Sequence, residues 1–162
     1  MVDCNVSIYI GGYSYSYINY TNRGFNRKMD IGKIVDDIKT HLSSDLLKKE
    51  YVEENETNPM FGHCYVASET LWYLIPHTIR WAFSPVCGKD EDGITHWWVE
   101  NKQTGEIYDI TGDQYFSKGK TPPYENGKRA SFLTNKPSKR CSVLLDKMNE
   151  KISQKKVSYD YF

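Results

Sequence analysis

Three side chains in this sequence are of the types that make, activate and orient a nucleophile. Cys64 lies in GHCYVASETLWYL, and His96 and Asp109 stand near the two ends of THWWVENKQTGEIYDIT. A thiol becomes a strong nucleophile when a base takes its proton, and an imidazole serves as that base when a carboxylate holds its other nitrogen. The segment carrying His96 and Asp109 reads as a β-hairpin. With a turn of even length, residues 95–101 pair with 106–111, and the two side chains lie on one face as diagonal neighbours, roughly 7–8 Å apart. A three-residue turn would put them on opposite faces, because side chains alternate along a strand.

Each of the three also has a plainer reading. Cysteine is among the most buried residue types, and a structural cysteine on a helix is commoner than a reactive one. Cys64, however, follows Gly62-His63 at the expected start of a helix that Pro76 closes, with Val66, Ala67, Thr70, Leu71 and Leu74 at helical spacing. Unpaired N–H groups and the positive end of the helix dipole favour a thiolate there. Asp109 falls between Tyr108 and Ile110, mid-strand, where aspartate is depleted and asks for a reason. The oxyanion of an acyl-transfer step would be met by the backbone N–H of Cys64 and a side-chain donor. Gln114 is the first candidate for that donor and His63 the second, with Asn58 and Trp98 as further oxyanion or substrate contacts.

The elements that must position these residues can be read along the chain. Residues 2–20 alternate as strand, with a break at Gly11-Gly12. Asp30 is a good N-cap for a helix over 31–49, whose apolar stripe is Ile31, Ile34, Val35, Ile38, Leu42, Leu46 and Leu47. YVEENETNPM is polar and reads as a loop, and IRWAFSPV (79–86) reads as a strand. Strands over 94–101 and 106–111 follow, then a loop-rich stretch over 112–136. A last helix over 138–155 begins with Ser138 as N-cap and carries Cys141, Leu144, Leu145, Met148 and Ile152 as its stripe. The tail VSYDYF reads as a terminal strand or a frayed end. Helices and mostly antiparallel strands in separate runs predict an α+β fold.

The chain of 162 residues is long enough for one domain with its own core, divided into an N-terminal strand and helix (1–55), a central part (58–115) and the C-terminal helix. Apolar residues make up only 39%, but aromatics at 14% supply much of the burial. Lys+Arg and Asp+Glu both number 21, and this balance disfavours nucleic acid as the main partner. No apolar run approaches the ~18 residues of a membrane span, and no secretory pattern opens the chain, which predicts a soluble cytoplasmic protein (in the host cytoplasm if viral). Cys4, Cys64, Cys87 and Cys141 are scattered without CxxC spacing and are expected to be free thiols.

NPMFGHCYVASETL followed by THWWVENKQTGEIYDITGDQY resembles the core of papain-like and transglutaminase-like cysteine enzymes. In those, a Cys opens a helix packed on an antiparallel sheet, and a His-bearing strand and an Asp-x-Thr strand follow. The resemblance implies Cys64 as nucleophile, His96 as general base and Asp109 as orienting acid, with no cofactor. A closer likeness is to short bacterial and phage proteins of uncharacterised activity, which share Gly-x-Cys, His-Trp-Trp and Asp-x-Thr-x-x-Gln-Tyr elements. In this chain the last of these runs from Asp109 to Tyr115. The likeness covers residues 58–115, about a third of the chain. Many such enzymes take an oxyanion contact from a Gln upstream of the Cys. No Gln precedes Cys64, and Asn58 is the nearest upstream amide. The activity so implied is hydrolysis or transfer at an amide or related acyl bond of a small molecule or protein.

Two other classes compete. His63, Cys64, Cys87 and His96 are all zinc-ligand types, but no pair has finger-like spacing, and adjacent residues do not easily face one ion. A non-catalytic protein that binds or sequesters a small molecule or nucleotide, as a phage accessory or anti-defence protein would, could use Trp72, Trp81, Trp97, Trp98, Tyr108 and Tyr115 for stacking. The basic set Lys128, Arg129, Lys136, Lys139 and Arg140 could grip a phosphate near the start of the last helix. A solvated face explains the same charges.

Overall fold

The computed structural model describes residues 6–10, 13–17, 30–133 and 135–159, with side-chain surroundings given for 30–133 and 135–149. Cys4, the Gly11-Gly12 break and residues 160–162 of the tail lie outside the described residues. The alternating N-terminal segment is a hairpin of β1 (Val6–Ile10) and β2 (Tyr13–Tyr17), paired antiparallel from Val6 opposite Tyr17 to Ile10 opposite Tyr13.

Helix α1 (Ile31–Thr40) begins where expected, with the Asp30 side chain accepting from the Lys33 N–H at 3.1 Å. Such a cap stabilises by about 1 kcal/mol. Ile31, Ile34 and Ile38 are buried along one face. The helix ends at Thr40 and does not run to residue 49 as the apolar stripe predicts. The Thr40 hydroxyl donates to the Asp37 carbonyl at 2.9 Å, and His41 Nδ1–H donates to the same oxygen at 2.7 Å. Side chains that take over backbone acceptors in this way compete with the helix. Leu46 is still fully buried, but from a 3-10 turn over Ser44–Leu46. The polar stretch expected as loop contains α2 (Val52–Thr57), a helix with no buried residue, so no apolar stripe announced it. Glu53 and Glu54 lie in its first turn, where the dipole favours them.

Helix α3 (Cys64–Leu74) is the centre of the molecule. Val66, Ala67, Ser68, Glu69, Thr70, Leu71, Tyr73 and Leu74 are all buried, so it is enclosed on nearly every side. It packs against the sheet on one flank and against α1 and α6 (Lys139–Tyr159) on the other. Glu69, fully buried, accepts from the Ser138 hydroxyl at 2.6 Å and the Ser138 N–H at 3.0 Å. Ser138 Oγ in turn accepts from the Cys141 N–H at 3.3 Å, which is the N-cap contact expected of it. The central helix therefore fixes the start of the C-terminal one.

The short helix α4 (His77–Arg80) replaces the first part of the strand expected over 79–86, and β3 spans Phe83–Lys89. Antiparallel pairing with β4 (Thr95–Asn101) runs from Phe83 opposite Asn101 to Lys89 opposite Thr95. The two-residue strands β5 (Ile107–Tyr108) and β6 (Lys128–Arg129) complete a sheet of order β5-β4-β3-β6, antiparallel throughout. Between them, the stretch expected to be loop-rich also holds a four-residue helix, α5 (Asp113–Phe116). The fold is α+β, a four-stranded antiparallel sheet covered by helices. No helix among the described residues is long and apolar enough to cross a membrane.

Candidate active site

The hairpin carries the first part of the geometry. Val99 lies opposite Tyr108 and Glu100 opposite Ile107, and the Asn101 N–H donates to the Glu106 carbonyl at 2.9 Å. Residues 102–105 thus form a turn of even length. Strand β5 ends at Tyr108, short of the expected 106–111, so Asp109 is the first residue past the pairing and not mid-strand. His96 Nε2 donates to Asp109 Oδ2 at 2.7 Å. His96 is fully buried and the Asp109 side chain is 4% exposed, so the bond is shielded from water.

Asp109 is held by two further donors. The Tyr124 hydroxyl donates to Oδ2 at 2.9 Å, and the Thr111 backbone N–H donates to Oδ1 at 3.0 Å. The Thr111 contact is an Asx-turn, legible in the Asp-x-Thr spacing. Tyr124 is 15 residues further on, in a 3-10 turn after Pro122-Pro123, and no sequence signal pointed to it.

Cys64 supplies the first residue of α3 and is half-buried. Gly62 takes φ +81° just before it, and a Cβ there would lie 2.8 Å from Tyr51 Cβ and 2.9 Å from Leu47 Cδ2. Only glycine allows the chain to enter α3 so close to those side chains. The Cys64 thiol points at the Thr95 carbonyl oxygen, 3.8 Å away, on the residue before His96 in β4. The first-turn N–H groups of α3 have no partner within the helix. Burial disfavours a charged His96. The hydrogen bonds to Asp109 and Cys64, and the negative charge each can carry, outweigh burial and raise its proton affinity above the ordinary imidazole value.

The other predicted residues fall around this centre in different ways. Gln114, on α5 and 6% exposed, turns its amide onto the imidazole: Nε2 donates to His96 Nδ1 at 3.0 Å and to the Thr111 carbonyl at 3.1 Å. Asn58 is buried, and its Nδ2 donates to the Gln114 carbonyl at 3.1 Å, so it braces α5. His63 caps α3 by position only and is 1% exposed, with Nδ1 unpartnered among the described residues. Trp98 is also 1% exposed; its ring lies 5.9 Å from that of His96 and edge-on to Tyr124 at 5.2 Å. It is a buried floor and offers a substrate no open surface. Tyr115 packs edge-on against His96 at 5.0 Å, its hydroxyl donating to Asp90 Oδ2 at 3.0 Å.

The basic residues do not share one element. Arg129 is exposed on the edge strand β6 and Lys139 is exposed at the start of α6, whereas Arg140 donates to the Leu46 carbonyl at 3.1 Å. Among the described residues no group of three or more His, Cys, Asp or Glu side chains converges as metal ligands. A cavity of about 250 Å³ lies at the far end of α3, lined by Trp72, Tyr73, Arg80, Pro85, Ser131, Phe132 and Asn135. No protein-family model, no curated protein and no solved structure matches this chain.

Proposed function

We propose that the protein is a cysteine-dependent hydrolase or acyltransferase with a papain/transglutaminase-like core, acting on an amide or related acyl bond. The observation that carries this reading is the buried imidazole of His96, donating from Nε2 to Asp109 at 2.7 Å, with the helix-start thiol of Cys64 directed at the carbonyl of the preceding residue, Thr95. The chemistry follows from those atoms. Cys64 Sγ attacks the carbonyl carbon and its proton passes to His96 Nδ1. The resulting oxyanion is met by backbone N–H groups of the first turn of α3. Collapse breaks the C–N bond, and His96 returns the proton to the leaving amine. Water or a second amine then attacks the thioester, giving a proton to His96, and Cys64 leaves as the thiol. Asp109 keeps Nε2–H in place throughout and orients the ring. Peptidase, deamidase and transglutaminase chemistry share these steps and differ in what the cleft admits.

Alkylation of the native protein with a small thiol reagent from about pH 5 to about pH 9, with the modified cysteine located by mass spectrometry, tests the reading. Fast labelling of Cys64 that is lost or shifted in His96→Ala and Asp109→Ala is expected. Labelling of Cys64 no faster than of Cys141, and indifferent to His96, overturns it.

A second reading, a non-catalytic protein that binds a small ring or nucleotide, has the cavity beside Trp72, Phe132 and Arg80 in its favour. Trp72 lies eight residues along α3 from Cys64, about 12 Å by helical rise. Nucleotide binding there, weakened by Trp72→Ala and indifferent to Cys64→Ala, would support that reading.

A further inference from the structure

The amide of Gln114 has a fixed orientation. Its Nε2 sits 3.1 Å from the Thr111 carbonyl oxygen and 3.2 Å from Thr111 Oγ1, and a carbonyl oxygen can only accept. The atom 3.0 Å from His96 Nδ1 is therefore an N–H donor, and Nδ1 must accept. Asp109, accepting from Nε2, selects the same tautomer from the opposite side of the ring.

Resting on the reading of Cys64 and His96 given above, we propose that Gln114 is a positioning residue of the site, which holds His96 as the Nε2–H tautomer with Nδ1 kept as the proton acceptor beside Cys64. The same contact acts on the charge state. An imidazolium carries a proton on Nδ1, and that proton would meet the Gln114 N–H, donor against donor. Gln114 therefore opposes a proton on Nδ1. Asp109 and the Cys64 sulfur act in the contrary sense. The remaining groups facing the ring are Tyr115 from α5, whose hydroxyl is engaged by Asp90, and Tyr124, whose hydroxyl is engaged by Asp109. Burial raises the proton affinity of both phenols, so neither titrates across neutral pH. Proton transfer from Cys64 to Nδ1 then requires the Gln114 amide to give way.

The test is the alkylation rate of Cys64 at pH 7 expressed as a fraction of its own high-pH limit. That ratio reports ionisation and cancels any change in access to the sulfur. Gln114→Met removes the donor at similar volume and is expected to raise the fraction by about tenfold, the factor that corresponds to one pKa unit. Gln114→Glu replaces the donor by an acceptor and is expected to raise it further. An unchanged or lowered fraction in Gln114→Met, with His96→Ala still abolishing fast labelling, overturns the role of Gln114 and leaves the thiol–imidazole reading intact. Indifference of Cys64 to His96 overturns that reading itself. The unsubstituted protein gives a second check: imidazole 15N spectra should show the neutral form of His96 protonated on Nε2, and protonation on Nδ1 overturns the proposal without any variant.

Discussion

His96 Nε2 and Asp109 Oδ2, 13 residues apart in the chain, meet at 2.7 Å across a hairpin and out of reach of water. The turn over 102–105 makes this possible. One residue more or fewer there would shift the register by a residue and send one of the two side chains to the other face. Removing one member of such a buried pair leaves the other without its partner, and the cost is about 3–5 kcal/mol. Asp109→Ala should lose stability of that order in urea titrations, together with the rapid alkylation of Cys64. Stability equal to that of the parent would show that the bond does not hold His96.

Tyr124 makes a neutral hydroxyl bond to the same carboxylate oxygen, at 2.9 Å. Tyr124→Phe removes that donor and keeps the ring against Trp98. The acceptor is a carboxylate, so the expected loss is about 1.5–3 kcal/mol. Because Asp109 keeps the Thr111 N–H and His96, the pH 7 alkylation of Cys64 should fall severalfold and not vanish. Complete loss of labelling would mean that Tyr124 is indispensable to the carboxylate's placement and more than a brace.

The parts of this site carried by local patterns were legible, and the parts carried by long-range contacts were not. An even hairpin turn, a helix opening at Cys64 and capping by Asp30 and Ser138 are all properties of short windows. Tyr124 reaches Asp109 only because β6 returns to pair with β3, a two-residue pairing without periodicity of its own. Glu69 is fully buried because α6 closes over α3 and offers it Ser138, a contact no short window contains. Helix α2 carries no such signal for the opposite reason: it buries no residue, so it has no apolar stripe. Gln114 stood out as an amide near the right place, but its partner depends on the rotation of a four-residue helix that no window sets.

His63, the residue before Cys64, gives the fold a pH dependence of its own. Burial is the main reason its proton affinity is low; the Arg140 and Lys147 charges add to it and Asp45 opposes it, leaving a pKa of about 4. Between that value and the ordinary 6.5 the unfolded chain binds a proton that the folded chain refuses, so stability rises with pH across the window. The contribution is fully present above 6.5, is lost as pH falls toward 4, and amounts to something on the order of 3 kcal/mol. Urea midpoints measured near the two ends of that window should differ more in the parent than in His63→Gln. Equal differences would place His63 in water.

Gly127 ties the floor of the site to its brace. Its φ of −63° suits any residue, so the requirement is one of space. A Cβ there would lie 2.6 Å from Trp98 Cζ2 and 2.9 Å from the Tyr124 carbonyl oxygen. Both neighbours are backbone or rigid ring, and Trp98 is 1% exposed, so neither can step aside into solvent. Gly127→Ala must displace Trp98, with Val86 Cγ1 also 3.0 Å from the added Cβ, or carry Tyr124 away from Asp109. Overpacking of this kind costs about 1–3 kcal/mol. The second route also removes the hydroxyl bond, so combining Gly127→Ala with Tyr124→Phe separates the two. Losses in Cys64 reactivity that are less than additive show that the added methyl acts through Tyr124. Additive losses show that it acts independently of Tyr124, through Trp98 and Val86.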